Sequence, residues 1–208
     1  MSLDMWIPFV LASALILVIP GPTIILVVSQ AIAHGRWSVL PLVTGVLLGD
    51  LTAMTLSFLG LGALLSASSV LFGLFKWIGA CYLVYLGVTL WRTNPEAPVM
   101  TAGAERKSAP ALLKSAFIVT ALNPKGIAFF AAFLPQFIDP AAPPVPQLTL
   151  LGGTFLGLAT VNVIAYAAFA GELKGVFRKD RVKKWLNRCG GGALVGAGIV
   201  TAGLDRTS

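Results

Sequence analysis

Charge is scarce in this chain. Asp, Glu, Lys and Arg make up 11% of its 208 residues, less than half the share with which a soluble domain usually solvates its surface. There is one histidine, and there are two cysteines, Cys81 and Cys189. That is too few for a disulfide framework, and the spacing fits no metal-ligand pattern. Serine-hydrolase, phosphate-loop and dinucleotide-binding motifs are all missing. No catalytic centre, cofactor or metal is expected, so the protein does not read as an enzyme.

What is abundant is apolar. Hydrophobic residues form 57% of the chain and the mean hydropathy is +0.87. They fall into six runs, roughly 6–29, 38–60, 68–91, 112–136, 147–171 and 189–204. Most of these can cross a hydrocarbon core of about 30 Å as helices at ~1.5 Å per residue. None alternates with period two, which excludes a membrane β-barrel. The sixth is short and is expected to borrow residues from the basic stretch before it. The first run is read as a retained helix, because no Lys or Arg precedes it to make the basic region of a signal peptide.

The excess of basic residues does not indicate nucleic acid, because no soluble stretch is long enough to fold a binding surface. The basic residues sort by loop instead. Arg36 lies in the first loop; Arg92, Arg106, Lys107 and Lys114 border or lie in the third; Lys174, Arg178, Lys179, Arg181, Lys183, Lys184 and Arg188 fill the fifth. The positive-inside rule places these alternate loops in the cytoplasm and both termini outside. Trp6, Trp37, Trp91 and Trp185 fall near helix ends, where interfacial indoles belong.

A polar loop at 93–111 divides the single domain (1–208) into two halves, about 1–92 and 112–208. Gly45-Val46-Leu47-Leu48-Gly49 in the second run matches Gly153-Thr154-Phe155-Leu156-Gly157 in the fifth. Pro20-Gly21-Pro22 in the first has a counterpart in Asn123-Pro124-Lys125 in the fourth, and Gly79 and Gly87 align with Gly190 and Gly198. Three helices per half is an odd number, so the halves must run oppositely through the membrane. The expected fold is therefore an all-α integral membrane protein of six helices in two inverted three-helix repeats, as in many secondary transporters.

Helices one and four are expected to be broken. Pro20 and Pro22 cannot donate to the carbonyls of Ile16 and Val18, and Pro124 cannot donate to that of Thr120. Unpaired backbone at this depth is tolerated only where protein or water satisfies it. New half-helices beginning at Thr23 and Lys125 would offer N–H groups to an anion. Asp50 in helix two and Lys125 in helix four each cost at least ~2.5 kcal/mol at the bilayer centre if unpaired, so both should face the bundle interior. Asp50 is a candidate proton carrier, although a static pair with Lys125 that only fixes helix register would also satisfy both charges. Asn162 is a candidate donor to substrate or to a neighbouring helix. Lys76 is read as snorkelling and His34 as a loop residue. Gly45, Gly49, Gly153 and Gly157 are read as close-packing positions.

These motifs resemble the LysE-type exporters, in the branch of homoserine, threonine and homoserine-lactone efflux proteins. The resemblance rests on Ile19-Pro20-Gly21-Pro22, Gly45-x-x-x-Gly49-Asp50, Gly79-Ala80-Cys81-Tyr82-Leu83-Val84-Tyr85-Leu86-Gly87, Leu122-Asn123-Pro124-Lys125 and Phe133-Leu134-Pro135-Gln136-Phe137. It covers nearly the whole chain. Thr23 departs from it, since many relatives carry Asn or Asp after Pro-Gly-Pro. The resemblance implies export of amino acids or close derivatives across a bacterial inner membrane, driven by protons, by a chain that forms a homodimer. On the residues alone two other readings stay open: a membrane thiol–disulfide carrier using Cys81 and Cys189, and a passive channel or structural membrane subunit.

Overall fold

The protein is described by a computed structural model that covers residues 3–67, 69–92, 107–139, 142–172 and 180–203. Loop 93–106, Lys174, Arg178, Lys179 and Arg206 lie outside these residues, as do the side chains of Arg36, Lys76 and Lys183. Among the described residues there is no strand.

Proline sets most of the helix boundaries. Helix α1 (Leu3–Val18) stops before Ile19, Pro20 and Gly21, and α2 (Pro22–His34) restarts with Pro22 in its first turn, where no N–H is missed. The two helices meet at 54°. Gly35, at φ 66°, closes α2 in a conformation that side chains resist. Helix α3 (Val39–Ala67) then runs for 29 residues and α4 (Ser69–Arg92) for 24.

The second half repeats the order. Helix α5 (Ala109–Ala121) ends two residues before α6 (Pro124–Ala128), and the fourth apolar run bends there by 44°. Helix α6 passes into a π turn over Phe129–Phe133 and a 3-10 turn over Leu134–Phe137. The loss of α-helical register coincides with Pro135, whose ring nitrogen cannot continue the ladder. Helix α7 (Pro144–Ala168) follows, then α8 (Asp180–Gly203). The sixth run does extend into its basic flank, so Arg181, Lys184 and Arg188 occupy the first turns of α8, not a loop.

Among the described residues two helical stretches, Val39–Gly60 and Pro144–Ala168, are each long and apolar enough to cross a membrane; counting each bent pair as one span gives four. Their outer faces carry large exposed apolar side chains such as Leu40, Leu56, Val161 and Ile164, a surface that water does not support at this density.

Helices α3 and α5 lie against each other, as do α4 and α8, and α7 meets α1, α2 and α3. Glycine permits both close pairs. A Cβ at Gly45 would collide with Leu113 O, and one at Gly49 would lie 2.7 Å from Thr120 Cβ. A Cβ at Gly87 would lie 2.6 Å from Gly191 O, and one at Gly198 2.8 Å from Ala80 O. Gly153 and Gly157 differ from expectation: a Cβ at either meets nothing within 4 Å, so neither packs a helix within this chain. Both lie on the exposed side of α7, away from the Leu151–Phe155–Ala159–Val163 face that the core uses.

Two buried clusters flank the middle of the bundle. One is aromatic, built on Phe9, Phe129, Phe130 and Phe155, with the last two rings edge-to-face at 4.8 Å. The other is aliphatic, built on Val27, Val28, Leu42, Val46 and Val163. Residues of both clusters line a cavity that also brings together buried Thr23, Asp50, Thr120 and Asn123.

Candidate functional site

The first break releases the carbonyls of residues 16 to 19, and each finds a side chain from the second half of the chain. Lys125 Nζ donates to Ile16 O at 2.8 Å and to Ile19 O at 2.7 Å. Asn162 Nδ2 donates to Leu17 O at 3.1 Å, and Tyr166 Oη donates to Val18 O at 2.6 Å. Asn162 and Tyr166 are one turn apart on α7, so one helix face serves two successive carbonyls. The unwound segment is thus held by three side chains in place of the missing helix ladder.

The second break is organised differently. Thr120 O is not left open, because Asn123 N–H donates to it at 3.0 Å in a tight terminal turn. The N–H of Lys125 is not open either, since Asn123 Oδ1 caps it at 3.1 Å. The expected anion site at the start of α6 is therefore already filled by Asn123. Of the two half-helices that follow the breaks, α2 is the one without a side-chain cap, at Gly21.

Thr23 joins the two breaks. Its Oγ1 accepts from Asn123 Nδ2 at 3.1 Å and from Thr120 Oγ1 at 3.3 Å, all three residues being buried. Lys125 runs alongside Gly21: a Cβ there would lie in ordinary contact, 3.5 Å from both Nζ and Cε.

These groups enclose one cavity of about 40 Å³ between the two clusters, lined by Gly21, Thr23, Asp50, Asn123, Lys125 and Asn162 with Phe129, Val46 and Val163 as apolar walls. Of the other residues expected here, Pro20 and Pro22 flank the unwound segment and Pro124 starts α6. Asp50 is buried on the cavity side of α3, one turn from Val46. It thus shares a low-dielectric chamber with the Lys125 ammonium, and each charge offsets part of the other's desolvation. At roughly 10–15 Å³ per water the space holds about two to four waters, too little for an organic solute.

Tyr166 was not anticipated; its position four residues after Asn162 was the available signal. His34 does more than end a helix. Its Nε2 accepts from Lys107 N–H at 2.8 Å and its Nδ1 lies 3.1 Å from Gln30 O, which ties the approach to α5 onto the end of α2. Cys81 and Cys189 are both exposed free thiols.

Comparison with known proteins finds relatives over nearly the whole chain. A homoserine/homoserine lactone efflux protein of Salmonella typhimurium is 33% identical over 204 residues, covering 97% of this chain and 98% of its own. A leucine efflux protein of Enterobacter sp. is 32% identical over 193 residues, covering 92% and 90%. An uncharacterized membrane protein of Vibrio cholerae is 32% identical over 202 residues, covering 97% and 98%. No solved structure matches the chain. The LysE type translocator family model matches residues 14–203, so this chain is a membrane protein of the LysE translocator family, a transporter and not an enzyme.

Proposed function

We propose that this chain is a secondary active exporter of amino acids or close derivatives, coupled to proton antiport. The observation that carries the reading is the seat of the Lys125 ammonium on the carbonyls of Ile16 and Ile19. A pair of backbone carbonyls beside a buried carboxylate is a receptor for an ammonium group, and here Lys125 occupies it. Homoserine, its lactone and leucine, the compounds named for the two efflux relatives, have an α-amino group in common; the lactone lacks a free carboxylate. The amino group is therefore the feature such a site would read.

The proposed cycle follows from that competition. A substrate ammonium displaces Lys125 from the carbonyls and comes to face Asp50. The released Lys125 then meets the substrate carboxylate, where there is one, together with the open N–H groups at the start of α2. Displacement also removes one of the links between the two breaks, leaving the bonds of Thr23 to Asn123 and Thr120, and so loosens the halves. A proton arriving on Asp50 from outside removes the charge that holds the ammonium, and substrate leaves.

The wider arrangement we propose is six membrane spans in two inverted repeats, each a broken element followed by two helices. It is supported by the matching order α1/α2, α3, α4 and α5/α6, α7, α8, and by the meeting of α3 with α7 and of α4 with α8. The basic residues of α8 and of the loops support an inner-membrane orientation with both termini outside.

The test is efflux from cells loaded with amino acids as dipeptides. Selective efflux that an uncoupler abolishes is expected for the native chain. An Asp50→Asn variant that kept full proton coupling would remove Asp50 from the cycle.

A further inference from the structure

A second cavity lies beside the polar one. It measures about 210 Å³ and is lined by apolar side chains, among them Ile16, Ile19, Leu83, Phe129, Phe133 and Leu194. For comparison, an engineered apolar cavity of about 150 Å³ stays dry and binds benzene. It is not sealed: Leu15, which also lines it, is exposed, so the cavity opens at the surface of α1.

Its position defines its occupant. Ile16 and Phe129 line both cavities, so the two chambers share a wall. Ile16 and Ile19 are also the residues whose carbonyls hold Lys125. The broken segment therefore presents backbone acceptors to the polar chamber and borders the apolar one with the same two residues. A molecule with an ammonium at one end and a hydrocarbon group a few bonds away fits both at once.

We propose that the larger cavity is the side-chain subsite of the exporter, and that its substrates are amino acids with an apolar side chain of leucine to phenylalanine size. The inference rests on the ammonium site argued above and adds the group that selects among its ligands. Moving Lys125 off Ile16 and Ile19 loosens the shared wall, so arrival of the ammonium opens the way to the side-chain chamber. Each methylene buried there strengthens binding by about fourfold, whereas a hydroxyl would meet no partner on this lining. Leucine is therefore preferred to alanine, and leucine to homoserine, by at least about tenfold.

The experiment is efflux from proteoliposomes holding the full-length chain, with labelled leucine, phenylalanine, alanine and homoserine compared under one imposed pH gradient. Ala193, on α8, lines the apolar chamber, and Ala193→Phe fills it. The leucine-to-alanine ratio should fall at least tenfold in that variant. Phe133→Leu, which enlarges the chamber, should shift preference towards the longer side chains and serves if Ala193→Phe does not fold. Transport of all four amino acids at equal rates, or a ratio unchanged by a folded variant, would overturn the side-chain subsite while leaving the ammonium site standing. Lipid co-purifying with the native chain and lost in Ala193→Phe, with selectivity unchanged, would overturn it in favour of an acyl-chain seat. No transport of any α-amino compound would instead overturn the exporter reading itself.

Discussion

The Lys125 ammonium lies 2.7 Å from Ile19 O, so a cation from the second half of the chain closes the break in the first. With the bond to Ile16 O at 2.8 Å, two of its three donors are committed to backbone. This single side chain joins α1 to α6 across 109 residues of sequence.

Replacing Lys125 with Met should remove two charge-assisted hydrogen bonds and leave both carbonyls and Asp50 without a cation. A loss of about 2–5 kcal/mol in stability is expected, read as a lower unfolding temperature in detergent, together with loss of efflux. Lys125→Arg keeps the charge but not the compact ammonium. It should recover part of the stability and little of the transport. Equal transport by all three proteins would contradict the role given to Lys125.

Tyr166→Phe tests the carbonyl at Val18. Losing that 2.6 Å bond should cost about 1 kcal/mol, a fall of roughly 2–4 °C in a chain of this size. Asn162→Leu removes the neighbouring bond to Leu17 O. Because both groups hold one unwound segment, the double variant should lose more than the sum of the singles. Strict additivity would show that the two act independently.

Glycines of the two halves should respond in opposite ways. Gly49→Ala forces a Cβ against Thr120 and Phe117 O, and overpacking of this kind costs about 1–3 kcal/mol. Gly153→Ala places its methyl in open space. It should be neutral or stabilise the helix by up to about 1 kcal/mol. Thermal unfolding of the two variants side by side settles it; equal losses would mean that Gly153 is packed after all.

Proton coupling should depend on Asp50. In the native chain, efflux should accelerate as the outside is acidified at constant internal pH. In Asp50→Asn, which cannot gain or lose a proton, the rate should not vary with external pH. A native-like pH dependence in that variant would place the coupling proton elsewhere.

Much of this site was readable before any coordinates. Proline fixes where a helix must release carbonyls, and a charge at mid-membrane depth must find a partner, so Pro20, Pro22, Pro124, Asp50 and Lys125 announce themselves. Which partner each group finds was not readable. Lys125 reaches past Gly21 to Ile16 and Ile19, a fact of three-dimensional approach. Thr120 O was expected to be open, but the backbone folds back and Asn123 N–H takes it. Tyr166 was overlooked because a tyrosine in an apolar run reads as packing until its hydroxyl is seen on Val18 O. The Gly153 pair misled for a related reason: Gly-x-x-x-Gly marks a face where close approach is permitted, and the sequence does not say whether a helix of the same chain lies there.

The central claim is that the carbonyls held by Lys125 form an ammonium receptor. The most direct measurement compares efflux of leucine with that of N-acetyl-leucine from proteoliposomes under an imposed proton gradient. The two share a side chain and a carboxylate and differ in whether the nitrogen carries a charge. Proton-driven efflux of leucine with none of the acetylated form is the predicted result. Equal efflux of both would contradict the claim, because a site that transports the acetylated form is not reading the ammonium group.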